Sequence, residues 1–336
     1  MQKKLIAAAI GALCAVPAFA QSNVTIYGRV DMGYRTFTND GKATLEDQES
    51  SNRWGIQGEE NLGGGLKAFF QLENRFYLDN GMQDSARQWK DKAWVGLKHN
   101  NLGAVSFGRV ASAAYSLYGG TYEAFGGDTI GSMTDRRGKI TNNWDNAAKY
   151  ESPVFGGVFR AIGTLGLSEN KASTPDNRWG VGGQLTLGAF KMDGVYQKDT
   201  VDDDYKAKMW KTWFLTAAYD FKPVQVFGGY TRSKSYKSHG VGSDDNTYTV
   251  YQGGVRVPFG PHTVMGNLGR IEDKVNNDKT KYTHVGLGYW YSLSKRTTLM
   301  ANVSYDKVNK DGAKVKGPSG AIDDSFGTEL AIRHTF

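Results

Sequence analysis

The residues best suited to acid, base or nucleophilic chemistry are dispersed along this 336-residue chain. The five histidines, His99, His239, His262, His284 and His334, fall at no metal-ligand spacing. No Ser/His/Asp arrangement stands out from its context. Gly63-Gly64-Gly65 precedes an extended segment, not a helix, and lacks the Lys-Ser/Thr that a phosphate loop needs. What does recur is charge at every second position. Arg29 and Asp31, Arg53 and Glu59, and Lys67, Glu73 and Arg75 each lie opposite the apolar residues of their own segment. Charges arranged this way act by field and by hydration, on ions and polar solutes.

Such a face needs strands to hold it. In NVTIYGRVDMGY, Val24, Ile26, Val30 and Met32 oppose Thr25, Tyr27, Arg29 and Asp31. In GLKAFFQLENRF, Leu66, Ala68, Phe70 and Leu72 oppose Lys67, Gln71, Glu73 and Arg75. Val285, Leu287, Tyr289 and Tyr291 share one parity, as do Leu299, Ala301, Val303 and Tyr305. The ending FGTELAIRHTF alternates too, with Phe326, Leu330, Ile332 and Phe336 on one side. This period of two is the mark of β-structure.

It predicts strands near 24–37, 50–60, 65–77, 90–100, 103–110, 146–152, 156–166, 177–187, 189–198, 211–221, 223–234, 246–257, 261–272, 280–292, 296–308 and 323–336. Sixteen is an even number, as an up-and-down barrel closing its last strand onto its first requires. Tight turns such as Asn61-Leu62-Gly63-Gly64, Leu187-Gly188 and Ser292-Leu293-Ser294 alternate with longer polar connections, of which 111–145 is the longest. Short turns at one end and long loops at the other are the asymmetry of an outer-membrane barrel. If the apolar face met a protein core, as in a soluble sandwich, the charges would face solvent. If it meets lipid, they line a lumen that must hold water.

The first twenty residues support the second case. Lys3 and Lys4 precede an apolar run from Leu5 to Val16, and Ala18-Phe19-Ala20 supplies a small-x-small cleavage pattern before Gln21. Residues 1–20 are read as a secretory signal peptide and 21–336 as one barrel domain. Cys14, the single cysteine, lies inside the signal, so the mature chain has no disulfide. Without Lys3 and Lys4 the basic residues number 39 against 34 acidic, a net charge of +5. The 43 Gly, 18 Tyr and 16 Phe suit a large antiparallel sheet with tight turns. A mean hydropathy of −0.51 is compatible with lipid contact, because a barrel strand places apolar residues only at alternate positions.

Several blocks resemble one family. NVTIYGRVDMGY, SNRWGIQGEENLGGGLKAFFQLE at 51–73, KAWVGLKHNNLGAVSFGR at 92–109, NAAKYESPVFGG at 146–157 and the final RHTF are similar, in order, to the general trimeric porins of Gram-negative bacteria, of the β-proteobacterial and neisserial type. The resemblance implies an all-β, sixteen-stranded antiparallel transmembrane β-barrel, a homotrimer in outer-membrane lipid, with an inward-folded third loop narrowing the pore. That loop is the long connection after Arg109. Its TYEAFGGDT is similar to the P-E-F-G-G-D-T of enterobacterial porins, with Tyr122 in place of the Pro and Ala124 inserted. The family sets basic residues on the wall opposite the loop acids. By position Arg29, Arg53 and Arg109 match the wall, and Glu123 and Asp128 the loop. Arg109 shares parity with Val105 and Phe107, so plain alternation does not send it inward. Arg136, Arg137 or Lys139 stand where a further basic residue is expected after the loop. Phe336 is, by the same resemblance, the assembly signal.

The expected function is a passive channel for ions and small hydrophilic solutes across the cell outer membrane, with no cofactor and no enzymatic step. Three wall cations against two loop acids imply a weak preference for anions. A barrel serving adhesion with a blocked lumen, and a barrel hydrolase with a loop-built site, are the alternatives. No row of aromatics marks a sugar track. Basic residues are interleaved with acids, so pI ≈ 9.1 does not point to nucleic acid.

Overall fold

The period-two segments become strands whose apolar parity faces outward. The computed structural model describes residues 23–38, 43–47, 52–127, 129–133, 138–168, 176–203, 206–238, 241–242, 246–275, 278–310 and 324–336. The expected signal peptide, His239, Asp128, Arg136 and Arg137 lie outside the described residues. The segments are β1 (Asn23–Phe37), β2 (Ala43–Asp47), β3 (Arg53–Gly63), β4 (Leu66–Arg75), β5 (Lys92–His99), β6 (Gly103–Ala111), β7 (Asn143–Glu151), β8 (Phe159–Gly166) and β9 (Arg178–Leu187). They continue with β10 (Phe190–Asp203), β11 (Lys206–Asp220), β12 (Gln225–Ser238), β13 (Val241–Gly242), β14 (Thr247–Phe259), β15 (His262–Val275), β16 (Asp278–Ser292), β17 (Thr297–Lys310) and β18 (Ser325–Thr335). Among the described residues one helix, α1 (Ala113–Thr121), lies in the long connection after β6.

All eighteen segments belong to one sheet. Two are continuations of others. β2 pairs with the second half of β1 and β3 with its first half, so β2 and β3 form one interrupted strand. β13 and β14 divide β12 in the same way. The result is a sixteen-stranded antiparallel barrel of nearest neighbours. It closes where β18 pairs with β1, from Arg29 opposite Thr335 to Phe37 opposite Gly327. Backbone bonds in both directions between Gly28 and Phe336, each 3.0 Å, complete the seam. A closed barrel leaves no open edge, which lipid could not satisfy.

The outer face is apolar. Val24 and Ile26 are 62% and 66% exposed, Leu287 57% and Leu330 64%. Tyr219, Tyr289 and Phe336 also face outward near strand ends, where rings suit the membrane interface, and Trp213 and Tyr305 face outward farther along their strands. Glycines at positive φ gather at the short-turn end. Gly63, Gly64 and Gly65, at φ 86°, 58° and 83°, turn β3 into β4 in a conformation that side chains disfavour.

Two expected loops are largely strand. β10 and β11 extend to Asp203 and Lys206, and β15 and β16 to Val275 and Asp278. Sequence around 199–210 carries polar residues on both faces, so alternation fades. The backbone ladder continues regardless, because its own hydrogen bonds do not depend on which side chains it carries.

Candidate functional site

Inside the barrel, register builds a row of guanidinium groups. Arg29 on β1 lies directly opposite Arg53 on β3, and Arg53 directly opposite Arg75 on β4. Like charges facing each other across strands are destabilising unless compensated. Carboxylates on the same face compensate them. Asp31 takes a 2.6 Å bond from Arg333 and lies 3.8 Å from Arg29. Glu73 lies 3.9 Å from Arg53 and 3.8 Å from Arg75, and accepts bonds from Tyr27 at 2.6 Å and Lys92 at 3.0 Å. Arg75 also donates to Asp91 at 2.9 Å, and Arg35 to Glu329 at 2.7 Å. Asp31 and Glu73 are 0% and 1% exposed, a burial that a carboxylate tolerates only when so many donors converge. On this wall Arg29, Arg35, Arg53, Arg75, Lys92 and Arg333 outnumber Asp31, Glu73, Asp91 and Glu329 by two.

The long connection after β6, the third loop, lies against the other wall. Ser112 caps α1 by accepting from the Tyr115 amide at 3.2 Å. The helix lays Ala113, Ala114 and Leu117 on Ile162, Val195 and Phe214 of β8, β10 and β11. Glycines on the wall make room for it. A Cβ at Gly182 would come within 2.7 Å of the Leu117 side chain. Further on, Phe125 occupies the space above Gly288, Met133 that above Gly269, and the Gly131 backbone that above Gly286. Tyr122 and Met133 pack with Val250, Ile271 and Tyr282.

Polar anchors hold the same run. Asn267 on β15 accepts from the Ala124 amide at 3.2 Å and donates to Glu123 at 2.9 Å. His284 on β16 lies 3.2 Å from the Gly131 carbonyl and 2.6 Å from Asp306. On the return path the Lys139 amide donates to Ser233 at 3.0 Å and the Thr141 amide to Asp199 at 2.6 Å. The apolar core of the molecule is therefore mostly the contact between this loop and the lumenal face of β8 to β17.

The residues expected at the site divide accordingly. Arg29 and Arg53 belong to the row. Arg109 does not. Phe107 on its parity is 53% exposed on the outer face, and Arg109 donates to Asp145 at 2.6 Å and to the Lys90 carbonyl. Asp145 in turn pairs with the exposed Arg87. Arg75 holds the third place instead, and its parity with Lys67 and Glu73 was the available signal. Glu123 is buried, with its carboxylate turned back to Ser132 at 2.6 Å, the Met133 amide and Asn267. Lys139 sits over the Tyr248 ring at 5.0 Å. Phe336 covers Gly28, where its ring leaves no room for a Cβ. Asn267, His284 and the wall glycines escaped sequence reasoning, because nothing local distinguishes a glycine under a loop from one in a strand.

A closed barrel with an apolar exterior, a charged lumen and a loop packed inside it defines a membrane channel. The chain belongs to the Gram-negative porin family, whose profile matches residues 6–311. An outer membrane porin protein of Bordetella pertussis is 29% identical over 91% of this chain and 94% of that one. The solved anion-selective porin from Comamonas acidovorans is 25% identical, with a TM-score of 0.81 over 94% of this chain and 100% of its own. OmpT, an outer membrane protein of Vibrio cholerae solved in trimer form, shares the fold at a TM-score of 0.70 and 16% identity, over 94% and 99% of the two chains. The protein is an outer-membrane porin, a passive channel.

Proposed function

We propose that the chain, after removal of residues 1–20, works as a homotrimer in outer-membrane lipid and passes ions and small hydrophilic solutes with a weak preference for anions. The observation that carries this reading is the Arg29–Arg53–Arg75 row across β1, β3 and β4. The loop narrows the lumen from one side and the row sets the field across the remaining gap. The named cations of this wall exceed its named carboxylates by two, and most of them have a carboxylate close by, which favours anions without excluding cations. Glu123, with both oxygens engaged inside the loop, contributes structure more than field. Asp128 is assigned to the acidic side of the constriction by family resemblance alone. The selectivity of the porin from Comamonas acidovorans agrees in sign.

Reversal potentials of purified protein in planar bilayers, across a salt gradient, test this. Anion preference is expected at low salt and should fade as the Debye length falls from about 10 Å at 0.1 M to about 3 Å at 1 M. Cation preference at low salt, or no conductance, would refute it.

A further inference from the structure

Beneath the third loop, toward the short turns, a recess of about 550 Å³ is lined by Glu123, Gly126, Lys191, Asp220, Lys222 and Arg256 among others. Its charges are arranged unlike those of the arginine row. There, every guanidinium has a carboxylate close by. Arg256 on β14 has none in ion-pair contact among the described residues, and its Nε is buried without a hydrogen-bond partner. The face of its guanidinium lies over Trp290, 6.0 Å from the ring centroid. Glu123 acts on Arg256 electrostatically. Its two oxygens, however, are already taken by Ser132, Met133 and Asn267. Asp220 accepts from the backbone amide of Lys222 at 3.0 Å. The ammonium groups of Lys191 and Lys222 make no ion pair among the described residues.

Gly126 keeps the guanidinium open. A Cβ there would come 3.7 Å from Nη2 of Arg256, so a larger side chain would grow toward the fork, and φ of +72° disfavours any side chain at this position. An arginine stacked on an indole, with no ion pair among the described residues and lining an open recess, presents planar parallel donors that match an oxyanion in two-point contact. Two nearby lysines raise the local positive potential without competing for the same geometry.

We infer that this recess is a binding station for small oxyanions, carboxylates and phosphates, on the periplasmic side of the loop. Arg256 supplies the two-point contact and Lys191 and Lys222 the surrounding field. The inference rests on the chain being a porin whose short turns face the periplasm. It adds a second anion site, distinct from the row that sets selectivity.

Isothermal titration of inorganic phosphate into the detergent-solubilised trimer reads the site without needing current. Single-channel chloride current under added phosphate reads it in the pore. Arg256→Gln should weaken phosphate binding and raise the half-blocking concentration roughly tenfold, about the effect of losing one charge-assisted hydrogen bond. Arg256→Lys should retain part of both, and acetate should compete. Arg53→Gln should move the reversal potential and leave the phosphate affinity unchanged. Equal affinity in Arg256→Gln and the unmodified trimer, or an equal loss in Arg53→Gln, would overturn the proposal. A trimer that binds phosphate through Arg256 yet carries no current would uphold it while refuting the pore reading.

Discussion

The two lumenal walls solve opposite problems with the same alternating pattern. On β1, β3, β4, β5 and β18 the inward positions are long, charged and cross-linked: Arg29, Asp31, Arg53, Glu73, Arg75 and Arg333. On β8 to β17 many are small or apolar, including Gly182, Val250, Gly269, Gly286 and Gly288. The first wall meets water, so its charges are hydrated or paired. The second meets the third loop, so it is built as a protein interior, with vacancies where the loop inserts. Residue type on the inward parity therefore reports what occupies the lumen at that point.

The difference can be broken from the loop side first. Gly286→Val should have the largest effect on conductance, because the added atoms would meet the Gly131 backbone, which cannot rotate aside as a side chain could. Overpacking of this kind costs about 1–3 kcal/mol. The loop should detach, and single-channel conductance should rise in trimers that still resist heat. Unchanged conductance would mean that the loop does not limit the pore.

Next is the seam that joins the charged wall to the last strand. Deleting Phe336 removes its backbone bonds with Gly28 and the ring that covers it. The heat-resistant fraction in outer membranes should drop sharply, as gel mobility without boiling will measure.

Within the charged wall, Glu73→Gln strips a buried carboxylate from Arg53, Arg75 and Lys92. Leaving such charges uncompensated costs on the order of 3–5 kcal/mol. Lower thermal stability and a stronger anion preference are expected together. Replacing Arg53 and Arg75 with Gln should shift the reversal potential toward cations at low salt and by much less at 1 M. Arg109→Gln, outside the row, should move the reversal potential least of all. A shift as large as that of the Arg53/Arg75 pair would restore Arg109 to the constriction.

The barrel was legible because its signal is repeated. Each strand states its inward and outward faces within a dozen residues, and the strand ends differ from expectation mainly where the sequence carries polar residues at both parities, as at 199–210. The charged wall was legible for the same reason: Arg29, Arg53 and Arg75 share the parity of Tyr27 and Glu73. Arg109 was matched by position in the family and opposed by parity; it pairs with Asp145, at a register shift between Gly108 and Val110. The covered wall was not legible. Whether Gly288 receives Phe125 depends on where a loop 163 residues earlier comes to rest, and no local pattern encodes that. Glu123 has an acid's identity but an anchor's surroundings, which only the contacts with Ser132 and Asn267 reveal.

The vacancies in the wall also bear on how the pore can move. Phe125, Gly131 and Met133 each occupy a separate recess, at Gly288, Gly286 and Gly269, along one short run of chain. Sliding the loop sideways would drive all three against strand backbone at once. Withdrawal must lift them together, like a key leaving its wards. Fluctuations of the aperture should then be rare and stepwise, between a seated and an unseated loop, and recordings of current should show discrete levels in place of a continuous drift.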